Sequence, residues 1–316
     1  PNSARTSPHR ATGAAKLAQY ARNKKIRKQK ETLIEFVLLM CACVSVFTTI
    51  GIVYILVKES VVFFSAVPLW QFLTDKQWTP LFSDAHFGIW VLMSGTLTSS
   101  LVALAVAIPL GTMIAIYLSE FAPYRVREVL KPVLEILSGI PTIIYGYFAL
   151  MFVTPLIQKI YPGLPTFNLL SAGLVMGVMI IPYVSSLAED AMRAVPMSLR
   201  EGSYAMGGTR LQTAMRVVVP AATSGIASAY ILGISRAVGE TMVVAVAAGM
   251  QPNLTLNPLE PAATITAYIV QVALGDLPHG SVGYQTIFAA GLSLMVLTLT
   301  FNLIGHWMRR RYREVY

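Results

Sequence analysis

The sequence predicts an all-α integral membrane protein with six transmembrane helices and both termini in the cytoplasm. Three observations carry this reading: the scarcity of charge, the grouping of apolar residues into long blocks, and the placement of Lys and Arg. Only 12% of the 316 residues are Asp, Glu, Lys or Arg, and 55% are hydrophobic. A soluble domain of average composition is about a quarter charged. Six apolar blocks are each long enough to cross a hydrocarbon core as a helix, at residues 33–57, 90–118, 133–157, 169–187, 221–248 and 286–307. A transmembrane β-barrel would show alternating segments of about ten residues, and no such segments are present.

Lys and Arg fix the orientation, because cytoplasmic flanks collect positive charge. They cluster in residues 1–30, between the second and third spans (Arg125, Arg127, Lys131), between the fourth and fifth (Arg193, Arg200, Arg210, Arg216), and after the sixth. The opposite loops hold only Lys58, Lys76 and Lys159, and the one remaining basic residue, Arg236, lies inside the fifth span.

Residues 1–32 form a basic arm, expected to be disordered and drawn to anionic lipid. The arm accounts for much of the net charge of +9 without a nucleic-acid partner. The first span exceeds the apolar region of a cleaved signal peptide, so it is expected to remain. Cys41 and Cys43 point to different sides of that span, and His9, His86, His279 and His306 are scattered, so no metal site is expected.

Residues 33–316 make up the transmembrane domain. The outer segment 58–89 contains Phe63, Phe64, Trp70, Phe72 and Trp78, which suits anchoring in the lipid headgroup layer. In the third span Ser138, Gly139 and Pro141 interrupt the helical ladder near the cytoplasmic side. This is either a gate beside a cavity or a packing kink. The second outer loop, 249–285, includes an apolar run at 262–274 that is too short to span and is expected to be re-entrant or interfacial.

The cytoplasmic loop 188–220 carries the strongest local signal. Met197, Tyr204 and Leu211 are spaced for short amphipathic helices on either side of Gly207 and Gly208, with Pro196 placed to start the first. Glu201-Gly202-Ser203, Gly207 six positions after Glu201, and Val217-Val218-Val219-Pro220 resemble the EAA loop of ABC-importer permeases. That pattern reads Glu-Ala-Ala, three residues, Gly, nine residues, Ile-x-Leu-Pro. Gly202 and Ser203 replace two alanines, and valines replace Ile and Leu. The resemblance implies a type I importer permease fold, in which this loop docks on an ATPase subunit and couples it to the pore through Glu201, Gly202, Ser203, Gly207 and Pro220. This chain has no Gly-x-x-x-x-Gly-Lys-Ser/Thr loop, so no ATPase site of its own is expected.

The fifth span holds the only charge pair in the central part of any span, Arg236 and Glu240. Arg236 falls about 2 Å from the midpoint of the block at 1.5 Å per residue. Charges placed there are costly and must face protein or a pathway. One role for the pair is a self-neutralising i, i+4 bridge. The other is contact between Arg236 and a translocated anion, since guanidinium offers a planar fork of donors. Arg before Glu is the less favourable order for a helical bridge, which tilts the reading toward the anion.

Three further stretches widen the resemblance: Ile108-Pro109-Leu110-Gly111 through Tyr117-Leu118-Ser119-Glu120, Ser138-Gly139-Ile140-Pro141-Thr142 with Tyr145-Gly146, and Arg236-Ala237-Val238-Gly239-Glu240-Thr241-Met242. They resemble the Pst-type phosphate importer permeases, specifically the PstC-type subunit, over nearly the whole chain after residue 30. The resemblance implies a multi-pass subunit of the bacterial plasma (inner) membrane paired with a PstA-type sister permease. It also implies an ATPase dimer that holds ATP and Mg, an external phosphate-binding protein, and no cofactor in this chain. The rival readings are a permease for another oxyanion, sulfate or molybdate, and an ATP-independent channel or secondary carrier. No nucleophile–base pair in the spans suggests an enzyme.

Overall fold

The computed structural model describes residues 8–80, 82 and 84–311, with side chains placed within residues 27–307. The chain divides into two units, residues 1–57 and 58–316. Helix α1 (Pro8–Ala66) makes up the described part of the first unit and continues into the second. Residues 8–32, expected to be irregular, are helical. Ala, Lys, Arg and Gln dominate that stretch and rank among the strongest helix formers, which accounts for the difference. Residues 1–7 of the expected arm lie outside the described residues.

The second unit is built on α3 (Ile89–Ile116) and α7 (Leu169–Arg193). Gly173 and Gly177 are four apart and so share a face of α7. A Cβ on Gly173 would stand 2.7 Å from Cβ of Val102, and one on Gly177 would stand 2.8 Å from the carbonyl oxygen of Ala103. Small residues let two helices approach to backbone contact, which replaces the hydrophobic drive that lipid removes. Ala103, Ala107, Ala172, Met176, Met179, Ile180 and Val184 fill the seam and are buried. Helix α11 (Thr223–Val238) lies against α7, α3 and α14 (Val282–Arg311).

Among the described residues four helical segments are long and apolar enough to cross a membrane: Lys30–Ala66, Ile89–Phe121, Leu169–Arg193 and Val282–Trp307. Counting each of two bent pairs as one span brings the number to six. The first bent pair joins α4 (Tyr124–Gly139) at 88° to a helix made of α5 (Thr142–Phe148), a π-turn at Ala149–Val153 and α6 (Thr154–Gln158). The break falls at Ile140 and Pro141; Ser138 and Gly139, expected to interrupt the helix, are instead its last two residues. Ile140 is extended (φ −67°, ψ 131°), as the residue before proline prefers. The expected block 133–157 is therefore shortened, because α4 turns away with none of its residues buried.

The second bent pair joins Arg210–Ala221 to α11 at 72°. The expected block 221–248 also breaks a second time. Helix α11 ends at Val238, and α12 (Met242–Ala247) begins after Gly239, Glu240 and Thr241.

On the outer side, α2 (Leu69–Thr74) and α13 (Ile265–Ala273) pack between the spans. At nine residues α13 is too short to span, as expected of the run at 262–274. The aromatic segment differs from its expected role. Phe63, Phe72 and Trp78 are almost fully buried and, with Phe64, Phe87 and Tyr268, form a chain of edge-to-face rings. Edge-to-face packing satisfies the ring quadrupoles and holds the outer loops together as a core. Of the five aromatics expected at the headgroups, Trp70 is the large exposed one. Among the described residues the only β pairing is one bridge between Trp78 and Phe87.

Candidate functional site

Arg236 lies in the last turn of α11, where the negative end of the helix dipole favours a cation. Its guanidinium carbon is 4.1 Å from the centre of the Tyr183 ring. Tyr183 follows Pro182 in α7. A cation over an aromatic face uses the face of the guanidinium and leaves its in-plane N–H donors for other partners. One of those donors, Nε, is buried and has no hydrogen-bond partner among the described residues.

Glu240 does not pair with Arg236. Among the described residues no carboxylate lies within ion-pair distance of Arg236. Instead Glu240 Oε1 accepts hydrogen bonds from the N–H groups of Met242 (3.1 Å) and Val243 (3.3 Å), and the Thr266 hydroxyl donates to its backbone carbonyl (2.6 Å). Gly239 ends α11, so Glu240 lies off the helix and is free to satisfy the orphan donors of α12. The self-neutralising bridge open to the pair is not formed, because it needs a continuous helix between the two residues.

Tyr183 also reaches the break in the third span. Its hydroxyl donates to the Ser138 carbonyl (3.2 Å), and the Tyr145 hydroxyl donates to the Leu137 carbonyl (2.7 Å). The carbonyls freed at Leu137 and Ser138 are thus satisfied by protein, as an interruption at membrane depth requires. A cavity of about 220 Å³ opens here between α4 and α7, lined among others by Ser138, Tyr183, Ser186, Lys131 and Glu189. Glu189 is fully buried. Lys131 Nζ is 3.3 Å, Arg193 Nη1 3.6 Å and Arg127 Nε 4.0 Å from its carboxylate, which are ionic contacts without hydrogen-bond geometry.

The structure gathers the predicted loop residues into a separate group. Helix α8 (Met197–Ala205) follows Pro196. Thr209 caps α9 (Arg210–Thr213) through a capping box with Gln212, and a π-turn at Ala214–Val218 leads to α10 (Val219–Ala221), which has Pro220 in its first turn. Gly207 turns the chain between α8 and α9 with φ +82°, a conformation that favours glycine. Ser203 hydrogen-bonds Thr213 (2.8 Å), bracing the two short helices. Glu201, Gly202, Met206 and Leu211 are exposed, and Met206 is 89% accessible.

Sequence reasoning missed two contacts. One is the Tyr183 ring beneath Arg236, whose only trace is an aromatic beside a mid-span proline. The other is Arg200, counted above only as a positive-side charge. It is 9% exposed and bonded to Glu120 at the end of the second span, with Nη2 to Oε1 2.9 Å and Nε to Oε2 3.3 Å.

Residues 107–314 match the model of the family described as "Binding-protein-dependent transport system inner membrane component". The chain belongs to this family. It is therefore a multi-pass inner-membrane permease of the ABC-importer class. It is 37% identical over 241 residues to the "Probable ABC transporter permease protein YqgH" of Bacillus subtilis, covering 76% of this chain and 78% of that relative. It is 33% identical over 263 residues to the "Phosphate transport system permease protein PstC" of Mesorhizobium japonicum, again covering 76% and 78%. A crystal structure of a bacterial ABC transporter involved in the import of the polysaccharide alginate superposes with a TM-score of 0.55 at 17% identity, over 83% of this chain and 96% of that one. This likeness shows the permease to have the fold of an ABC-importer membrane subunit.

Proposed function

We propose that this permease is one of two pore-forming subunits of an ATP-driven importer of inorganic phosphate. It works with a PstA-type sister, an ATPase dimer that holds ATP and Mg, and an external phosphate-binding protein. The observation that carries the reading is Arg236, a guanidinium inside a broken span that lies over the Tyr183 ring and has no carboxylate partner among the described residues. A guanidinium is the side chain best matched to phosphate oxygens, and a charge at that depth needs a functional partner. The similarity to phosphate permeases and the stretch Arg236–Met242 support the same anion.

On this reading phosphate released from the binding protein reaches Arg236, whose plane Tyr183 holds in position, and leaves past the break at Ser138–Pro141. The exposed apolar residues of α8 and α9 supply the surface on which the ATPase grips the loop, since an amphipathic helix pair needs a partner to bury it. The chain itself catalyses nothing.

Uptake of labelled phosphate by vesicles holding the assembled complex tests this, with sulfate and molybdate as competitors. Phosphate uptake that requires ATP and is lost in Arg236→Gln, with the complex still assembled, is the expected result. Preferential uptake of sulfate or molybdate overturns the substrate. Uptake without ATP, or unchanged uptake after Glu201→Lys with Gly207→Pro, overturns the coupling.

A further inference from the structure

Glu201 and Arg200 are neighbours in α8 and have opposite surroundings. Glu201 is exposed on the loop surface, whereas Arg200 is buried beneath it. Arg200 uses its fork fully. Nη2 and Nε hold the two oxygens of Glu120, Nη1 donates to the Val195 carbonyl (2.6 Å), and Nη2 also donates to the Met192 carbonyl (2.8 Å). Glu120 is braced in turn by the Ser119 hydroxyl (2.8 Å) and lies in the π-turn Tyr117–Phe121 that closes α3. One side chain therefore joins three segments: the loop helix, the end of the second span and the end of the fourth.

The covalent route between α7 and α8 is weak by comparison. It consists of Ala194 and Val195, whose N–H groups bond back to the Asp190 and Met192 carbonyls of α7, and Pro196, which donates no backbone hydrogen bond and leaves α8 joined to them by a single chain. Leu199 of α8 packs against the cluster that holds Ala115 of α3, but apolar contact is non-directional and does not fix the angle of α8 about this short link. The Arg200 fork removes that freedom. Because α3 and α7 touch through Gly173 and Gly177, a displacement delivered to their ends moves them together, and α7 carries Tyr183 beneath Arg236.

We infer that Arg200 and Glu120 form the rigid link through which the cytoplasmic loop drives the second and fourth spans as one body, so that ATP turnover reaches the anion path. The inference rests on the coupling reading above. Arg200 is a positioning residue, and its contribution is geometric: a lysine carries the charge but cannot hold two carboxylate oxygens and two carbonyls at once.

The test uses the assembled complex in liposomes, as wild type, Glu120→Gln and Arg200→Lys. ATP hydrolysis and phosphate uptake are measured on the same preparation, and assembly is checked by co-purification of the subunits. ATP hydrolysis should continue in both variants while phosphate moved per ATP falls by about 5- to 150-fold, the usual range of a coupling between sites. An unchanged ratio overturns the inference, including the case in which both activities fall together. Loss of the assembled complex in both variants also overturns it, by making the pair a folding contact. If wild type carries sulfate in place of phosphate, only the substrate reading fails, and the same ratio is taken with sulfate.

Discussion

The guanidinium of Arg236 rests 4.1 Å from the ring centre of Tyr183, and the hydroxyl of that tyrosine is bonded to the Ser138 carbonyl at the break in the third span. One side chain thus touches the proposed anion contact and the proposed gate. The two functions of Tyr183 separate by substitution. A cation–π contact is worth about 0.5–2 kcal/mol, equivalent to about a twofold to thirtyfold change in rate. Tyr183→Leu should lower the maximal rate of phosphate uptake by that factor, measured with saturating binding protein. Tyr183→Phe keeps the ring and should stay close to wild type. Equal losses in the two variants would mean that the ring does not hold Arg236.

Glu240 caps α12 and does not neutralise Arg236, so the two residues should fail differently. Glu240→Ala strips the acceptor from Met242 and Val243 N–H and should cost about 0.5–2 kcal/mol of stability, as the loss of a cap does. Its signature is a lower thermal midpoint of the purified complex. Glu240→Gln retains a carbonyl oxygen and should lose less. Arg236→Gln should leave the midpoint near wild type while abolishing uptake. Matching destabilisation by Arg236→Gln and Glu240→Gln would return the pair to a structural bridge.

The spans, the interruption of the third span and the turn of the cytoplasmic loop were legible because each has a local cause: hydropathy over about 20 residues, a proline, a positive-φ glycine; the two breaks in the fifth span were not. Gly207 and Pro141 lie where their backbone chemistry demands. Contacts between distant segments left little trace. Nothing near Glu120 points to Arg200, 80 positions away, and nothing near Trp78 points to Tyr268. The aromatics at 63–78 read as headgroup anchors because a ring beside a span looks alike whether it meets lipid or another ring. A bridge between Arg236 and Glu240 needs unbroken helix, which ends at Gly239.

The seam between α3 and α7 makes a prediction that composition alone would not. Gly177→Val forces a side chain into the space held by the Ala103 carbonyl and Val106, and overpacking of this kind costs about 1–3 kcal/mol. The yield of assembled complex should fall. Gly202→Ala adds a methyl with nothing within 4 Å among the described residues, so yield should be unchanged, and any loss of ATP-driven uptake would come from the proposed partner at the loop. Normal assembly with Gly177→Val would show that the two helices separate readily.

The outer loops contain a pH-sensitive pair, His86 and Asp75, in contact at 2.8 Å. The hydrogen bond that His86 Nδ1 donates to Asp75 raises the His86 pKa above its usual 6.5, against partial burial and with help from the Asp75 and Asp84 charges. For Asp75 burial pushes upward, but the bonds from His86 and the Gln77 N–H prevail and hold it below 3.8. A raised histidine contributes stability that is complete below 6.5 and lost as pH climbs through its folded value. A depressed aspartate contributes stability that is complete above 3.8 and lost as pH falls through its own. The pair is therefore at full strength between 3.8 and 6.5. Because it ties the start of the hairpin at Gln77–Thr79 to the entry of α3, Asp75→Asn should lower the thermal midpoint most inside that window. The gap between variant and wild type should narrow as the medium becomes alkaline. A gap that is constant across the range would mean that the contact acts through shape alone, with no contribution from its charge.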